Sequence, residues 1–267
     1  MACALWLKHL GFSPVLIEPG TALGGQLLRI NRINRWILGI PGQTGPALAG
    51  LYGSHVLDEA IEVRLGVRPV SVMVEDSGFS LVVREGENPT TSLPVQALVI
   101  ATGLRVRASE ILHPIPGALP LYESGLLSFF PLDHLEPMEA LEGKRVAVIG
   151  GGDNAHFTAK DLAPRTALTH LIIRSRPNAQ PMVRQDVEAL IQQGRIQEHS
   201  GALITGFHQG SAGITIALSR NDSKTERIEV DRIFARTGFA PNTEFLVGLG
   251  PLAGLERNGD GYVRVDA

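Results

Sequence analysis

Gly150, Gly152 and Ala155 spell G-x-G-x-x-A directly after the apolar run Arg145–Ile149 and at the start of a stretch with helical spacing, Ala155–Leu162. Each small residue has a task there. The first glycine makes a tight turn, the second lets backbone approach a pyrophosphate, and the third small residue lets helix and strand pack closely. The helix then presents free N–H groups and its positive dipole end to the phosphates. After the next strand come Arg174 and Arg176. A carboxylate at that place would bond the ribose 2′-OH of NAD, whereas guanidinium pairs with the 2′-phosphate of NADP. The expectation is a dinucleotide site that favours NADPH over NADH.

A second constellation lies near the start of the chain. Pro14 to Glu18 is a short apolar run ending in an acid, as a buried parallel strand with a ribose-binding carboxylate would read. In the later unit 24 positions separate Gly150 from Arg174, so a glycine loop matching Glu18 falls before residue 1. The reading frame is expected to begin inside a larger one, with Met1 near the start of the helix after that loop.

Positioning elements follow from periodicity. Ala4, Leu5, Leu7 and Leu10 predict a helix stopped at Gly11. Gly20 to Gly45 reads mostly as loop, and a helix is expected from about Pro46 to Glu62 on the face Leu48, Leu51, Val56 and Ile61. Val67–Glu75 and Phe79–Arg84 form a hairpin pattern around Asp76-Ser77-Gly78. Gln96–Gly103 reads as another buried strand, and 104 to 143 as a weakly periodic crossover. Then come a strand at Leu168–Ile173, a helix at Val183–Gln193, an antiparallel pair at Ile196–Gln209 and Gly213–Ser219, and a last strand within Arg227–Gly238. Helix, strand, helix, hairpin and a strand ending in Thr-Gly thus occur twice (Thr102-Gly103, Thr237-Gly238), which points to two copies of one doubly wound α/β plan.

Composition narrows the function classes. With 267 residues, 44% hydrophobic and 19% charged, the chain can build two globular cores. A net charge of -3 argues against nucleic-acid binding. No apolar run approaches the roughly 18 residues a membrane span needs, and the opening MACALWLKHLGF has no basic start, with Lys8 and His9 breaking its apolar stretch. A cytoplasmic protein without membrane contact is expected. Cys3 is the one cysteine, which excludes an internal disulfide and a C-x-x-C dithiol. The eight histidines lack ligand spacing, so no metal site is expected. Ser124 and Ser211 lack the nucleophile-elbow context of a hydrolase. Trp6 and Trp36 read as core or loop packing.

The segments IEPGTALGGQL (Ile17–Leu27), LVIATG (Leu98–Gly103), KRVAVIGGGDNA (Lys144–Ala155), ARTGFAPNTEFL (Ala235–Leu246) and DGYVRVD (Asp260–Asp266) together resemble the thioredoxin-reductase-like FAD/NAD(P)-binding oxidoreductases over essentially the whole chain. That resemblance implies two Rossmann-like domains with the NADPH domain inserted in a discontinuous FAD domain: 1–104 for the first FAD segment, 105–236 for the NAD(P)H domain, 237–267 for the returning FAD segment. It implies that Glu18 binds the FAD adenosine ribose, that Gly24, Gly25, Gln26 and Leu27 line the flavin, and that Thr102 and Gly103 pass near FAD. Gly150, Gly151, Gly152, Asp153, Asn154 and Ala155 would hold the NADPH pyrophosphate, with Arg174 and Arg176 on the 2′-phosphate. It implies a homodimer for the full-length protein.

The sequence departs from this pattern in three places. Residues 120 to 143 carry no cysteine, so reduction of thioredoxin through a C-x-x-C is excluded. The basic signature, usually His-Arg-Arg, is Arg174-Ser175-Arg176 here. The first glycine loop and a later Gly-Asp flavin segment are not in the chain. The expected function is hydride transfer from NADPH to FAD and on to an unidentified acceptor, as in ferredoxin– or flavodoxin–NADP reductases of this architecture. The cofactors do the chemistry there, so no catalytic side chain is named. The other class is a non-catalytic dinucleotide-binding module or an inactive truncated copy.

Overall fold

A computed structural model describes residues 1–30, 33–34, 37–129, 138–220 and 225–265. Trp36 and the end of the Asp260–Asp266 motif lie outside the described residues. The chain divides into two compact units, 1–104 with 241–267, and 105–240.

The first unit opens with helix α1, Ala2–His9, then strand β1, Val15–Glu18, helix α2, Gly45–Asp58, and strand β2, Glu62–Leu65. β1 and β2 pair in parallel, Glu18 opposite Leu65. Side chains alternate across β1. Leu16 packs with Ala4, Val56 and Ile61 of the helical side, and Ile17 packs with Val67, Val72, Leu81 and Val83. The latter belong to an antiparallel sheet of β3, Val67–Glu75, β4, Gly78–Glu85, and β5, Thr91–Val95. Two expectations are corrected here. The helix expected to reach Glu62 stops at Asp58, and Glu62 opens β2 instead; Leu51 of its expected apolar face is 49% exposed. The strand expected over Gln96–Gly103 is absent: a strand exists only against a partner, and no described strand lies beside it. Val99 is 60% exposed accordingly. Trp6, expected to pack, is 70% exposed.

The second unit begins with β6, Leu104–Val106, whose first residue still belongs to the first unit. Helices α3, Ala108–Leu112, and α4, Ala118–Glu123, then β7, Leu127–Ser128, occupy the stretch expected to be a weakly periodic crossover. Next come β8, Arg145–Ile149, α5, Asp153–Leu162, β9, Leu168–Ile173, α6, Pro181–Gln192, and β10, Ile196–Ser200. An antiparallel sheet follows, β11, Ala202–Gly210, β12, Gly213–Arg220, and β13, Thr225–Val230, before β14, Arg232–Ala235, and β15, Phe239–Pro241, which pairs with β6. The run expected as one strand from Ile196 to Gln209 is two, broken at Gly201, whose φ of 67° turns the chain out of the parallel sheet into the antiparallel one.

The parallel sheet has the order β10-β9-β8-β14-β7 and is covered on both faces, which explains the near-continuous apolar runs of β8 and β9. Val146 and Val148 meet Ala155, Ala159 and Leu162 of α5 and Val187 of α6. Ala147 and Ile149 meet Phe207, Ile214, Ile216 and Leu218 of the antiparallel sheet.

Neighbouring strands β9 and β10 also bury two histidines. His170 Nδ1 lies 3.0 Å from His199 Nε2, and His199 Nδ1 lies 3.1 Å from Glu226, which accepts from Arg220. Burial, with the neighbouring His199, lowers the His170 pKa to about 4; burial lowers that of His199. The folded state therefore refuses protons that the unfolded chain takes up near pH 6.5. Stability is whole above pH 6.5 and declines as pH falls towards 4. Between pH 7 and pH 5.5 His170 alone is expected to cost about 1 kcal/mol. Urea unfolding at the two pH values checks this, and His170→Gln should flatten the difference.

Candidate dinucleotide-binding site

The glycine turn sits between β8 and α5. Gly150 has φ 144°, and a Cβ on it would fall 2.2 Å from the Arg236 carbonyl oxygen and 3.2 Å from the Ala155 Cβ. The first position thus needs glycine for conformation and for approach to Arg236, the residue after β14, and Ala155, fully buried, is the small residue that lets α5 close on it. A Cβ on Gly151 would meet Ile173 Cγ2 at 3.0 Å. Gly152 has φ -94°, and a Cβ there would find only Asn178 Oδ1, at 3.6 Å. Its smallness is not required by the protein's own packing, which fits a residue kept small for a ligand. Gly152 is the N-cap of α5, and no side chain caps that helix. This open helix start behind a glycine turn fits a pyrophosphate.

Below the turn, buried His156 places Nδ1 3.0 Å from the Gly152 carbonyl oxygen, and Thr158 donates to the Asn154 carbonyl at 2.7 Å. Arg236, 6% exposed, donates from Nε to Thr158 Oγ1 at 3.0 Å and stacks 5.5 Å over Phe234. Sequence reasoning misses all three, because nothing in their spacing distinguishes a residue beneath a turn from any helix or strand residue.

Arg174 and Arg176 follow the end of β9, both exposed, and neither has an acidic partner among the described residues. They adjoin the turn: the Arg176 carbonyl oxygen would lie 3.4 Å from a Cβ on Gly151, and Asn178 N–H donates to the Gly151 carbonyl at 2.8 Å. Asp153, expected at the pyrophosphate, accepts from Gln180, the backbone N–H at 2.7 Å on Oδ1 and the side-chain amide at 3.0 Å on Oδ2. The structure thus brings Gly150 to Ala155 together with the basic segment.

In the first unit Glu18 accepts the Gly20 N–H at 2.7 Å on Oε1. Gly24 has φ 127°, and a Cβ there would strike Ala49 of α2 at 2.6 Å; Gly25 and Leu27 continue into a 3₁₀ turn, Gly25–Arg29. Gln26 donates to the Leu104 carbonyl at 2.6 Å, and Thr102 donates to the Asn242 carbonyl at 2.8 Å while Asn242 N–H donates to Gly103 O at 2.9 Å. The Gly24–Leu27 turn and the Thr102–Gly103 segment are therefore neighbours. Asn242, in the motif PNT, ties the chain's return to them. No described cluster of His, Cys, Asp or Glu could hold a metal, and no described helix is long and apolar enough to cross a membrane.

Comparison with known proteins identifies the family and the fold. The profile of the pyridine nucleotide-disulphide oxidoreductases matches residues 1–267. A thioredoxin reductase of Coxiella burnetii is 26% identical over 275 residues, covering 98% of this chain and 76% of that protein. An NADH dehydrogenase of Bacillus subtilis is 28% identical over 245 residues, 91% of this chain but 44% of that one. The crystal structure of T. acidophilum thioredoxin reductase superposes with a TM-score of 0.79 at 21% identity, covering 100% of this chain and 81% of that one. The fold is that of two Rossmann-like units, and the chain belongs to the pyridine nucleotide-disulphide oxidoreductase family, whose members are NAD(P)H-dependent flavin oxidoreductases that bind FAD and NADPH.

Proposed function

We propose that the chain handles NADPH in a flavin oxidoreductase that passes a hydride from NADPH to FAD and then delivers electrons to an acceptor outside its own thiols. The observation that carries this reading is the pairing of a built nucleotide turn with a single cysteine, Cys3, which is exposed. Within these 267 residues no second thiol stands beside it to form a relaying dithiol. FAD, when bound, supplies a ring that accepts a hydride and releases electrons singly or in pairs. The residues supply positioning: the turn and the open start of α5 for the pyrophosphate, Arg174 and Arg176 for the 2′-phosphate, Glu18 for the flavin's ribose, and the Gly24–Leu27 turn for its ring. Two proteins matching this chain are named thioredoxin reductase and NADH dehydrogenase; here the acceptor is a small redox protein of the ferredoxin or flavodoxin kind, or a small molecule.

The test is anaerobic titration of the protein, supplied with FAD, with NADPH. Loss of the yellow flavin absorbance, restored by an added one-electron acceptor but not by a disulfide, is the expected result. Tight NADPH binding with no bleaching at saturating FAD would replace this reading with that of a nucleotide-binding module.

A further inference from the structure

Asp153 stands at the first position of α5, where a pyrophosphate is expected to lie, and a carboxylate aimed at a phosphate would repel it. Its two oxygens are turned elsewhere. Oδ1 takes the backbone N–H of Gln180 and Oδ2 takes the Gln180 amide. Gln180 is the N-cap of α6, which starts with Pro181 and has no side-chain cap of its own. One carboxylate thus serves two helix starts: it sits in the first turn of α5 and accepts from the residue that opens α6, a placement both dipoles favour.

The consequence falls on the segment between β9 and α6, which carries Arg174 and Arg176. That segment is fastened at three points. The Ser175 carbonyl accepts from Gly201 N–H at 3.1 Å, Asn178 N–H donates to Gly151 O at 2.8 Å, and Gln180 is held by Asp153. Arginine side chains lose much rotamer freedom on binding a phosphate, and a backbone already fixed reduces what must be ordered. Of the three fastenings, Asp153–Gln180 is the one made by side-chain chemistry on the nucleotide turn itself.

We infer that Asp153 is a positioning residue for nucleotide choice: through Gln180 it holds the basic segment where its guanidiniums reach a 2′-phosphate, and it contributes discrimination between NADPH and NADH without touching phosphate. The inference rests on the NADPH reading above. It assigns the carboxylate a role opposite to the pyrophosphate contact expected from sequence.

The experiment compares NADP⁺ and NAD⁺ affinities by calorimetry. Wild-type protein is expected to prefer NADP⁺. Asp153→Ala should lower the NADP⁺/NAD⁺ affinity ratio by roughly fivefold or more, the usual weight of charge-assisted hydrogen bonds. Asp153→Asn should restore most of the ratio, since an amide oxygen still accepts from the Gln180 N–H. If alanine at 153 costs folding, Gln180→Ala asks the same question by removing only the side-chain half of the contact, and should lower the ratio by less. An unchanged ratio in Asp153→Ala, or in Gln180→Ala where that variant stands in for it, overturns the inference. So does an equal loss of both nucleotides, which would put Asp153 at the pyrophosphate. Absence of any NADP⁺ preference in wild-type protein is a different failure, visible before any variant is made: it removes the NADPH reading itself and the inference with it.

Discussion

Gly150→Ala is expected to destabilise the 105–240 unit by about 3 kcal/mol and to abolish nucleotide binding, whereas Gly152→Ala should leave stability nearly intact and lose only binding. The two glycines are small for different reasons. At Gly150 a methyl group would be driven to 2.2 Å from the Arg236 carbonyl oxygen, in a backbone conformation, φ 144°, that L-residues rarely adopt. Backbone strain of roughly 1–3 kcal/mol and overpacking of a similar size act together, and the neighbour is main chain directly after the interior strand β14, held there by its N–H bond to the Ile149 carbonyl, so it cannot swing aside freely. At Gly152 the backbone is extended and the nearest atom to a new Cβ is 3.6 Å away, ordinary contact. What a Cβ would meet there is the ligand. Urea unfolding followed by a probe in β8 or β9, together with NADP⁺ calorimetry, separates the two effects. Wild-type stability in Gly150→Ala, or wild-type affinity in Gly152→Ala, would contradict the assignment of the turn.

Replacing Arg174 and Arg176 together with alanine should weaken NADPH binding by roughly 2 kcal/mol, about thirtyfold, and leave NADH binding nearly unchanged. Hydrogen bonds to charged groups are worth roughly 1.5–3 kcal/mol, and exposure to solvent and salt places these at the low end. Both side chains are exposed and neither is engaged by an acid among the described residues, so truncation removes no internal ion pair and should not disturb the fold. The loss should shrink as ionic strength rises. Equal losses for NADPH and NADH would show that these arginines do not read the 2′-phosphate. Asp153→Ala acts on the same discrimination from a distance, so the triple variant should lose less than the separate effects predict.

The second unit is legible in sequence because its signals are local. The run RVAVI, the glycine spacing and the apolar Leu168–Ile173 each identify an element without reference to the rest of the chain, and β8 and β9 occupy the expected residues. Elements set by tertiary partners are not legible. β5 holds Pro94, which hides a strand from propensity yet is tolerated in a strand paired on one side only. Gln96–Gly103 has strand composition and no strand, because composition supplies side chains and not a neighbour. β2 goes unassigned apart from Glu62, read as a helix end, because EVRL is too short to show a period. At the site, small residues and cations announce themselves by type. The Asp153–Gln180 contact spans 27 positions and depends on where α6 begins, which no motif records.

Each hydrophobic core described above takes its residues from one unit only: two cores lie within 105–240, and two within 1–104 and 241–267. Cooperativity in a protein follows shared burial, so the cores within a unit are expected to melt together. A stabilising ligand on the glycine turn would raise the melting of the 105–240 unit by mass action, so that thermal-shift screening reports on nucleotide binding where its dye or fluorophore senses that unit.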